Sequence, residues 1–194
     1  MEKIRNKINP QIRYLNDLKM VLYDKRWLKT TKNFPVYYVY RGIKKRGSLR
    51  YDITEIPSRM LGKEFVKTKG HYHLGNYSEL FKILNGEGIF LLQKEKNSKI
   101  IEDVYYIKAK KGNYILIPPG YAHIVINSFK KILKIANWIS EKCQSNYQRI
   151  EKKEGFCYFY TKLGWIKNKN YKIIPKLKVK KPLKNFPKKF KFSL

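Results

Sequence analysis

Histidine, cysteine and long apolar runs are scarce in this 194-residue sequence, and each scarcity limits the kinds of site or protein that the sequence can encode. The two cysteines, Cys143 and Cys157, are not in a CxxC spacing, and we expect both to be reduced thiols. No stretch approaches the roughly 18 apolar residues that a membrane span needs. The first residues, Met1 to Asn9, alternate charged and apolar side chains and therefore lack the layout of a signal peptide. We expect a soluble, cytoplasmic protein with no membrane partner.

Acidic residues are also few: 14 Asp and Glu stand against 44 Lys and Arg, a formal net charge of +30. Clustered basic residues bind polyanions through counterion release, so a nucleic-acid partner is one interpretation. The excess is nearly all Lys and is spread along the chain with abundant Ile, Asn and Tyr, so drift in composition is the interpretation that we favour. In either case a positive field raises the encounter rate with anionic metabolites.

The pattern of apolar residues divides one expected domain into an arm, a body and a tail. In the arm, residues 1–34, apolar residues over Gln11 to Tyr23 predict an amphipathic helix, so we expect the arm to be helical or mixed. In the body, residues 35–164, short segments rich in Tyr, Val, Ile and Phe alternate with Gly, Pro and Asn, which is typical of an antiparallel barrel or sandwich. The tail, residues 165–194, is rich in Lys and interrupted by prolines, so we expect it to be extended or disordered and dispensable for activity.

Nine segments of the body are predicted to be strands, with turns between them where Gly and Pro cluster. They are Val36–Tyr40, Arg50–Ile56, Glu64–Lys67, Glu79–Leu84, Gly88–Gln93, Val104–Ile107, Tyr114–Ile117, His123–Asn127 and Ile132–Ile139.

The three histidines of the chain are His71, His73 and His123. His71 and His73 are two residues apart, so a strand would project both from one face. Glu79 begins the next predicted strand, and a hairpin would bring it beside them, while His123 arrives from a later strand. An isolated His-x-His pair is more often packed or on the surface. Three imidazoles with a carboxylate form a donor set suited to divalent Fe, Mn, Ni, Co or Zn, and we predict one such metal site.

The spacing of these residues resembles the two motifs of the cupin superfamily. The first motif is matched by His71-Tyr72-His73, Glu79 and Gly86, and the second by Gly112, Pro118, Gly120, His123 and Asn127. The resemblance implies a mainly β fold, a cupin double-stranded β-helix or jelly-roll-like barrel, with one metal at its centre. The N-terminal arm and the basic tail would be attached to that barrel.

Within that superfamily the chain is similar to the archaeal-type, cupin-fold glucose-6-phosphate isomerases, roughly from Arg13 to Tyr147. The similar stretches are Pro35-Val36-Tyr37-Tyr38-Val39-Tyr40, Gly62-Lys63-Glu64-Phe65, Thr68-Lys69-Gly70-His71-Tyr72-His73, Gly88-Ile89-Phe90-Leu91-Leu92-Gln93 and Ile117-Pro118-Pro119-Gly120-Tyr121-Ala122-His123. The likeness implies that a bound metal, Fe²⁺ first among the candidates, stabilises a cis-enediolate between glucose 6-phosphate and fructose 6-phosphate. It also implies a homodimer and a phosphorylated hexose as partner.

The resemblance assigns substrate residues as well. Thr54, Thr68 and the backbone of Gly70 match positions that hold the phosphate, and Tyr37 and Tyr147 match positions that line the sugar site. Glu79 is expected to bind the metal and also to carry the proton between the two carbons, because aldose–ketose interconversion needs a group that moves it.

Three departures from the family pattern concern proton transfer and not the metal. Phe81 stands where the isomerases usually carry Tyr, the segment Cys143–Asn146 lacks the histidine that usually precedes a tyrosine like Tyr147, and the loop between His73 and Glu79 is one residue shorter. Two alternatives follow. One is another cupin enzyme, such as a mannose-6-phosphate isomerase or a dioxygenase; the other is a metal-binding cupin without turnover that uses its lysines to bind a polyanion.

Overall fold

The computed structural model of the protein describes residues 8–187. Most of the segment Met1 to Asn9, for which the sequence predicts no signal peptide, lies outside this range. The end of the tail, residues 188–194, also lies outside it. None of the helices formed by residues 8–187 has both the length and the apolar character of a membrane span.

The described chain forms sixteen strands, three short α-helices and one 3₁₀ turn. The strands are β1 Gln11–Tyr14, β2 Pro35–Arg46, β3 Leu49–Ile56, β4 Met60–Leu61, β5 Glu64–Lys67, β6 Tyr72–Leu74, β7 Glu79–Asn85, β8 Glu87–Asn97, β9 Ile100–Lys110, β10 Tyr114–Ile117, β11 Ala122–Asn127, β12 Leu133–Ser140, β13 Gln144–Asn146, β14 Tyr158–Thr161, β15 Gly164–Lys167 and β16 Lys178–Lys180. The helices are α1 Leu15–Leu18, α2 Lys25–Thr30 and α3 Gln148–Glu151, with the 3₁₀ turn at Lys19–Val21.

Eight of these strands form two sheets with the pairing order of a jelly roll. One sheet contains the order β3-β12-β7-β10 and the other the order β5-β11-β8-β9. Counted along the chain, these are the first, eighth, third and sixth strands in one sheet and the second, seventh, fourth and fifth in the other, which is the Greek-key order of double-sheet jelly rolls and cupins. The mainly β, cupin-type fold expected from the sequence is confirmed.

The core lies between these sheets, where apolar side chains from both meet. Ile83 and Ile135 of one sheet and Phe90 and Val125 of the other are at most 1% exposed. Every position of β11 is buried, and the strand is central, paired with both β5 and β8.

The predicted helix over Gln11 to Tyr23 is wrong in its first part. Gln11–Tyr14 is a strand that pairs antiparallel with β2, and the helical portion begins only at Leu15. Leu15, Leu18 and Val21 are buried, so the apolar spacing that suggested a helix is real but extends over two short turns. The first four residues are extended because they complete the hydrogen-bond ladder along the edge of β2, a partner that helical periodicity does not reveal.

The expectation of an extended or disordered tail holds only in part for residues 165–187, because their extended segments pack against the barrel and are not disordered. Asn168 and Tyr171 are each 4% exposed, β16 pairs in parallel with β9, and Leu183 forms a bridge with Tyr114. The tail packs because its few apolar and aromatic side chains contact the barrel. Its average composition, which is dominated by Lys, does not reveal these contacts. We retain the division into arm, barrel and tail at residues 34/35 and 164/165 as a proposal only.

Candidate functional site

The four residues that the sequence predicted as metal ligands lie together inside the barrel. His71 precedes β6 and forms a β-bridge with His123 of β11, His73 lies within β6, and Glu79 is the first residue of β7. One ligand atom from each of the four lies within 4.8 Å of those of the others. The group could therefore hold a metal ion.

The route by which Glu79 reaches the histidines differs from the prediction. The expected hairpin between the strands of His73 and Glu79 does not form: β6 pairs with β13, with Ser145 opposite His73, while β7 pairs with β10 and β12. The loop between β6 and β7 carries the chain into another sheet, and the carboxylate meets the imidazoles in the barrel interior.

The orientation of His73 leaves acceptor atoms facing one another. His73 Nδ1 lies 3.1 Å from the Tyr77 carbonyl oxygen, so Nδ1–H donates and Nε2 carries the lone pair. That Nε2 lies 3.2 Å from Glu79 Oε2, and His123 Nε2 lies 3.3 Å from the same oxygen. His73 Nε2 and Glu79 Oε2 are buried without an aligned hydrogen bond. The His73 Nε2 lone pair and the Glu79 carboxylate oxygen therefore face each other with no donor between them, which is unfavourable unless a cation joins them, so this donor set fits a divalent metal.

Burial keeps two of the three imidazoles neutral, which is the form that binds a metal. Burial, reinforced by the neighbouring His73, lowers the pKa of His71 to about 3. Burial and the neighbouring imidazoles also lower the pKa of His123 well below its usual value. For His73 burial acts in the same direction, but the Glu79 carboxylate and the Tyr77 carbonyl outweigh it and raise the pKa.

A cavity adjoins this cluster, with His71, Glu79 and His123 in its wall. The five residues predicted to bind substrate also line it: Tyr37, Thr54, Thr68, Gly70 and Tyr147. The other lining residues are Arg13, Val39, Arg41, Arg50, Asp52, Phe81, Val125, Ile135, Asn137, Ile139 and Ser145.

Two hydroxyl groups in this cavity are arranged to donate. Thr68 Oγ1 accepts a hydrogen bond from the Val125 backbone N–H at 3.0 Å, and the Tyr37 hydroxyl oxygen accepts one from the Lys69 N–H at 3.3 Å. Each oxygen already accepts a backbone hydrogen, so the hydroxyl hydrogen is available for another acceptor. Burial raises the pKa of Tyr37 to about 12, so the phenol keeps that hydrogen at neutral pH.

Gly70 connects Thr68 to His71 through a conformation that suits only glycine. Its φ is +78°, and a Cβ atom there would clash with the side chains of Ile124 and Phe156. The segment can therefore pass close to β11 and bring both Thr68 and His71 to the cavity wall.

Aromatic residues close the space around the histidines. The Tyr147 ring lies 5.3 Å from that of His71, and the Phe81 ring lies 5.5 Å from that of His123, both measured between centroids. Phe81 presents no hydroxyl, and Ser145 lines the cavity from the segment that lacks the family's histidine. Two of the three departures seen in the sequence, Phe81 and the segment without the histidine, therefore face the cavity.

Sequence reasoning missed a group of charged residues in the cavity wall. Asp52 Oδ2 accepts hydrogen bonds from Arg41 Nη1 at 3.1 Å and Arg50 Nε at 3.0 Å, and its Oδ1 accepts one from the Gly42 N–H at 2.8 Å. The sequence did contain one signal that could have indicated these residues, the choice of Arg over Lys. Only eight of the 44 basic residues are Arg. Three of those eight, Arg13 included, line this cavity.

A jelly-roll barrel with three histidines and a glutamate clustered beside a polar cavity defines a cupin-type protein with a candidate metal centre. The family model of glucose-6-phosphate isomerase (GPI) matches residues 12–176 of this chain. The chain belongs to the glucose-6-phosphate isomerase family.

Individual relatives are similar over the same region. The glucose-6-phosphate isomerase of Pyrococcus furiosus is 31% identical over 122 residues, 60% of this chain and 62% of that protein. The one from Thermococcus litoralis is 32% identical over 126 residues, 62% of this chain and 64% of that protein. The chain thus spans less than two thirds of the length of these relatives.

Solved structures that resemble the chain are more distant. A complex of oxalate oxidase with the substrate analogue glycolate superposes with a TM-score of 0.43 and 14% identity, covering 54% of this chain and 50% of that one. The cupin domain of Schizosaccharomyces pombe Cnp3 superposes with a TM-score of 0.41 and 12% identity, covering 66% of this chain and 79% of that one.

Proposed function

We propose that the protein interconverts glucose 6-phosphate and fructose 6-phosphate with a divalent metal ion held by His71, His73, Glu79 and His123. The observation that carries the proposal is the convergence of four ligand atoms within 4.8 Å, three of their residues in the wall of a cavity that also contains hydroxyl donors. Membership of the glucose-6-phosphate isomerase family supports the choice of substrate.

Bound at this site, a divalent cation such as Fe²⁺ would offset negative charge that develops on the oxygens of the two reacting carbons, as a cis-enediolate requires. The Glu79 carboxylate takes the proton from C2 of glucose 6-phosphate and returns it to C1. The hydroxyl proton of O2 passes to O1, so the atoms balance and the open-chain aldose becomes the ketose. Glu79 suits this role because it lines the cavity beside the imidazoles.

The remaining predicted residues place the substrate. Thr54, Thr68 and the Gly70 backbone would donate to the phosphate, while Tyr37 and Tyr147 would border the sugar. Supporting this assignment, all five line the same cavity, and the hydroxyls of Thr68 and Tyr37 have hydrogens left to donate.

The direct test is turnover after metal removal and reconstitution. Protein stripped with a chelator should lose activity in a coupled assay on fructose 6-phosphate, and Fe²⁺, Mn²⁺, Ni²⁺, Co²⁺ or Zn²⁺ should restore it to different extents. Elemental analysis of His123→Ala should show severe loss of metal. No turnover with any of the five metals, or full occupancy in the variant, would contradict the proposal.

A second candidate function rests on the net charge of +30, which favours binding of a polyanion by a cupin without turnover. A mannose-6-phosphate isomerase would use the same donors for the phosphate, and assays on mannose 6-phosphate distinguish the two sugars. The homodimer and the cytoplasmic location stay proposals that rest on the family resemblance and the sequence pattern.

A further inference from the structure

Arg13 is a cation of the cavity wall that has no partner among the described residues. It lies in β1, directly opposite Tyr37 of β2 in the antiparallel register. It lines the cavity, and residues 8–187 offer it no hydrogen bond or ion pair. Arg41 and Arg50, by contrast, both bind Asp52.

The strand register places Arg13 at the end of the cavity away from Glu79. Across the sheet, Val39 of β2 pairs with Thr54, Thr54 pairs with Ile135, and Ile135 pairs with Ile83 of β7. Ile83 lies four residues from Glu79 along that strand, about 13 Å at the usual rise of a β-strand. Arg13, opposite Tyr37, is two residues further from Glu79 than this row. The hydroxyl donors and Arg13 therefore share one end of the cavity, and the proposed metal ligands lie toward the other.

The hydroxyl donors at that end carry no charge, and the two lysines that flank Thr68 in the sequence are already paired with carboxylates. A phosphate ester carries about −1.5 to −2 charges at pH 7, and burying such a charge without an opposite one is costly. Thr68 is flanked by Lys67, which pairs with Glu64 at 2.6 Å, and Lys69, which pairs with Glu151 at 2.7 Å. A free guanidinium at this end supplies the missing charge, and its planar donors suit two phosphate oxygens at once.

We infer that Arg13, contributed by the N-terminal strand, is the residue that neutralises the phosphate of the substrate and so selects phosphorylated over neutral sugars. The inference deepens the proposed function and rests on it for the identity of the sugar. Arg13 acts here as a specificity-determining residue that binds the phosphate, and the proton transfer at C1 and C2 does not involve it.

The test compares Arg13→Met with Arg46→Met, a matched control that removes the same charge from an exposed position at the far end of β2. Calorimetry with inorganic phosphate and with fructose 6-phosphate should show about ten- to a hundredfold weaker binding of both ligands to Arg13→Met. Arg46→Met should bind both within about twofold of the wild type, since a distant exposed charge is screened. In turnover assays the KM of Arg13→Met should rise while kcat changes little.

Phosphate binding by Arg13→Met equal to that of the wild type would overturn the inference, as would an equal loss in Arg46→Met. If Arg13→Met melts early, Arg13→Gln, which keeps a polar side chain without the charge, is judged by the same criterion. Wild-type protein that binds fructose 6-phosphate through Arg13 but does not isomerise it supports this inference and contradicts the proposed function. Turnover by the wild type with unchanged binding and KM in Arg13→Met overturns the inference alone.

Discussion

At the residue scale, Glu79 is the side chain that we propose both binds the metal and transfers the proton. Glu79→Gln keeps an oxygen that can coordinate but removes the base. We expect the variant to retain most of its metal and to lose turnover by roughly 10²–10⁴-fold, the usual contribution of a general acid–base group. Elemental analysis and the coupled assay measure the two effects separately.

Glu102→Gln is a suitable control, because Glu102 is exposed and, among residues 8–187, pairs with Lys94 on the surface. Its turnover should equal that of the wild type. A Glu79→Gln protein that holds metal and still isomerises at nearly the wild-type rate would exclude the proton-transfer role and require another base or a hydride shift.

The threonines of the cavity give a second residue-scale prediction. Losing one hydrogen bond to a charged group costs about 1.5–3 kcal/mol, so Thr54→Ala and Thr68→Ala should each raise the KM for fructose 6-phosphate about tenfold or more. Thr68→Ala also leaves the Val125 N–H without its acceptor and should lower the melting temperature. Thr68→Ser restores the hydroxyl and should recover both properties. Unchanged KM in both Ala variants would count against the assignment.

At the scale of elements, the segment between β5 and β6 depends on Gly70. Gly70→Ala combines a strained positive φ with a clash against Ile124 and Phe156. We expect it to lower the free energy of unfolding by about 2–5 kcal/mol, measured by chemical denaturation. Gly120→Ala has the same backbone requirement, with φ +77° and nothing within 4 Å of the added Cβ, and should cost about 1–2 kcal/mol. Equal losses would show that packing at Gly70 is unimportant.

The tail is a second element whose role the structure revises. The Tyr171 hydroxyl donates to the Gly155 carbonyl at 3.1 Å and accepts from Gln93 Nε2 at 3.0 Å, in the barrel interior. Tyr171→Phe should therefore lower the free energy of unfolding by about 1–3 kcal/mol, because both partners lose a buried hydrogen bond. Tyr23→Phe, at a position 37% exposed, is the control and should change it little.

Deletion of residues 165–194 should reduce soluble yield; a deletion protein that melts like the full chain would restore the original expectation of a dispensable tail.

At the scale of the whole molecule, the charge of +30 separates the two proposed functions. The affinity for a polyanion that is bound through several phosphate contacts falls steeply between about 50 and 200 mM salt, by about 10³–10⁵-fold for 6–10 contacts. An isomerase should instead keep most of its kcat over this range. We expect turnover to persist and the affinity for a single-stranded oligonucleotide to be weak at the higher salt. Tight oligonucleotide binding at 200 mM with no measurable turnover would favour the polyanion-binding alternative.

The barrel was predictable from the sequence because its signals are local. All nine predicted strands overlap observed strands, since each is rich in β-favouring residues and most have a Gly or Pro close to one end. The candidate ligands were predictable for a different reason: only three histidines exist, and their spacing matches a known pattern. Thr54, Thr68 and Gly70 could be named from the resemblance, and the structure places them in one cavity.

The features that only the tertiary structure decided depend on contacts between residues that are distant in the chain. Gln11–Tyr14 is a strand because β2 offers an edge, and Tyr171 is buried because Gln93 and Gly155 bond its hydroxyl. That Arg13 lines the cavity with no ion pair to any residue of 8–187 could not be read from the sequence either, because it depends on strand pairing and on Asp52 being engaged by Arg41 and Arg50. Local periodicity and motif spacing determined the barrel and its candidate metal ligands, whereas pairing between remote segments decided the edges of the sheets, the packing of the tail and the balance of charge in the cavity.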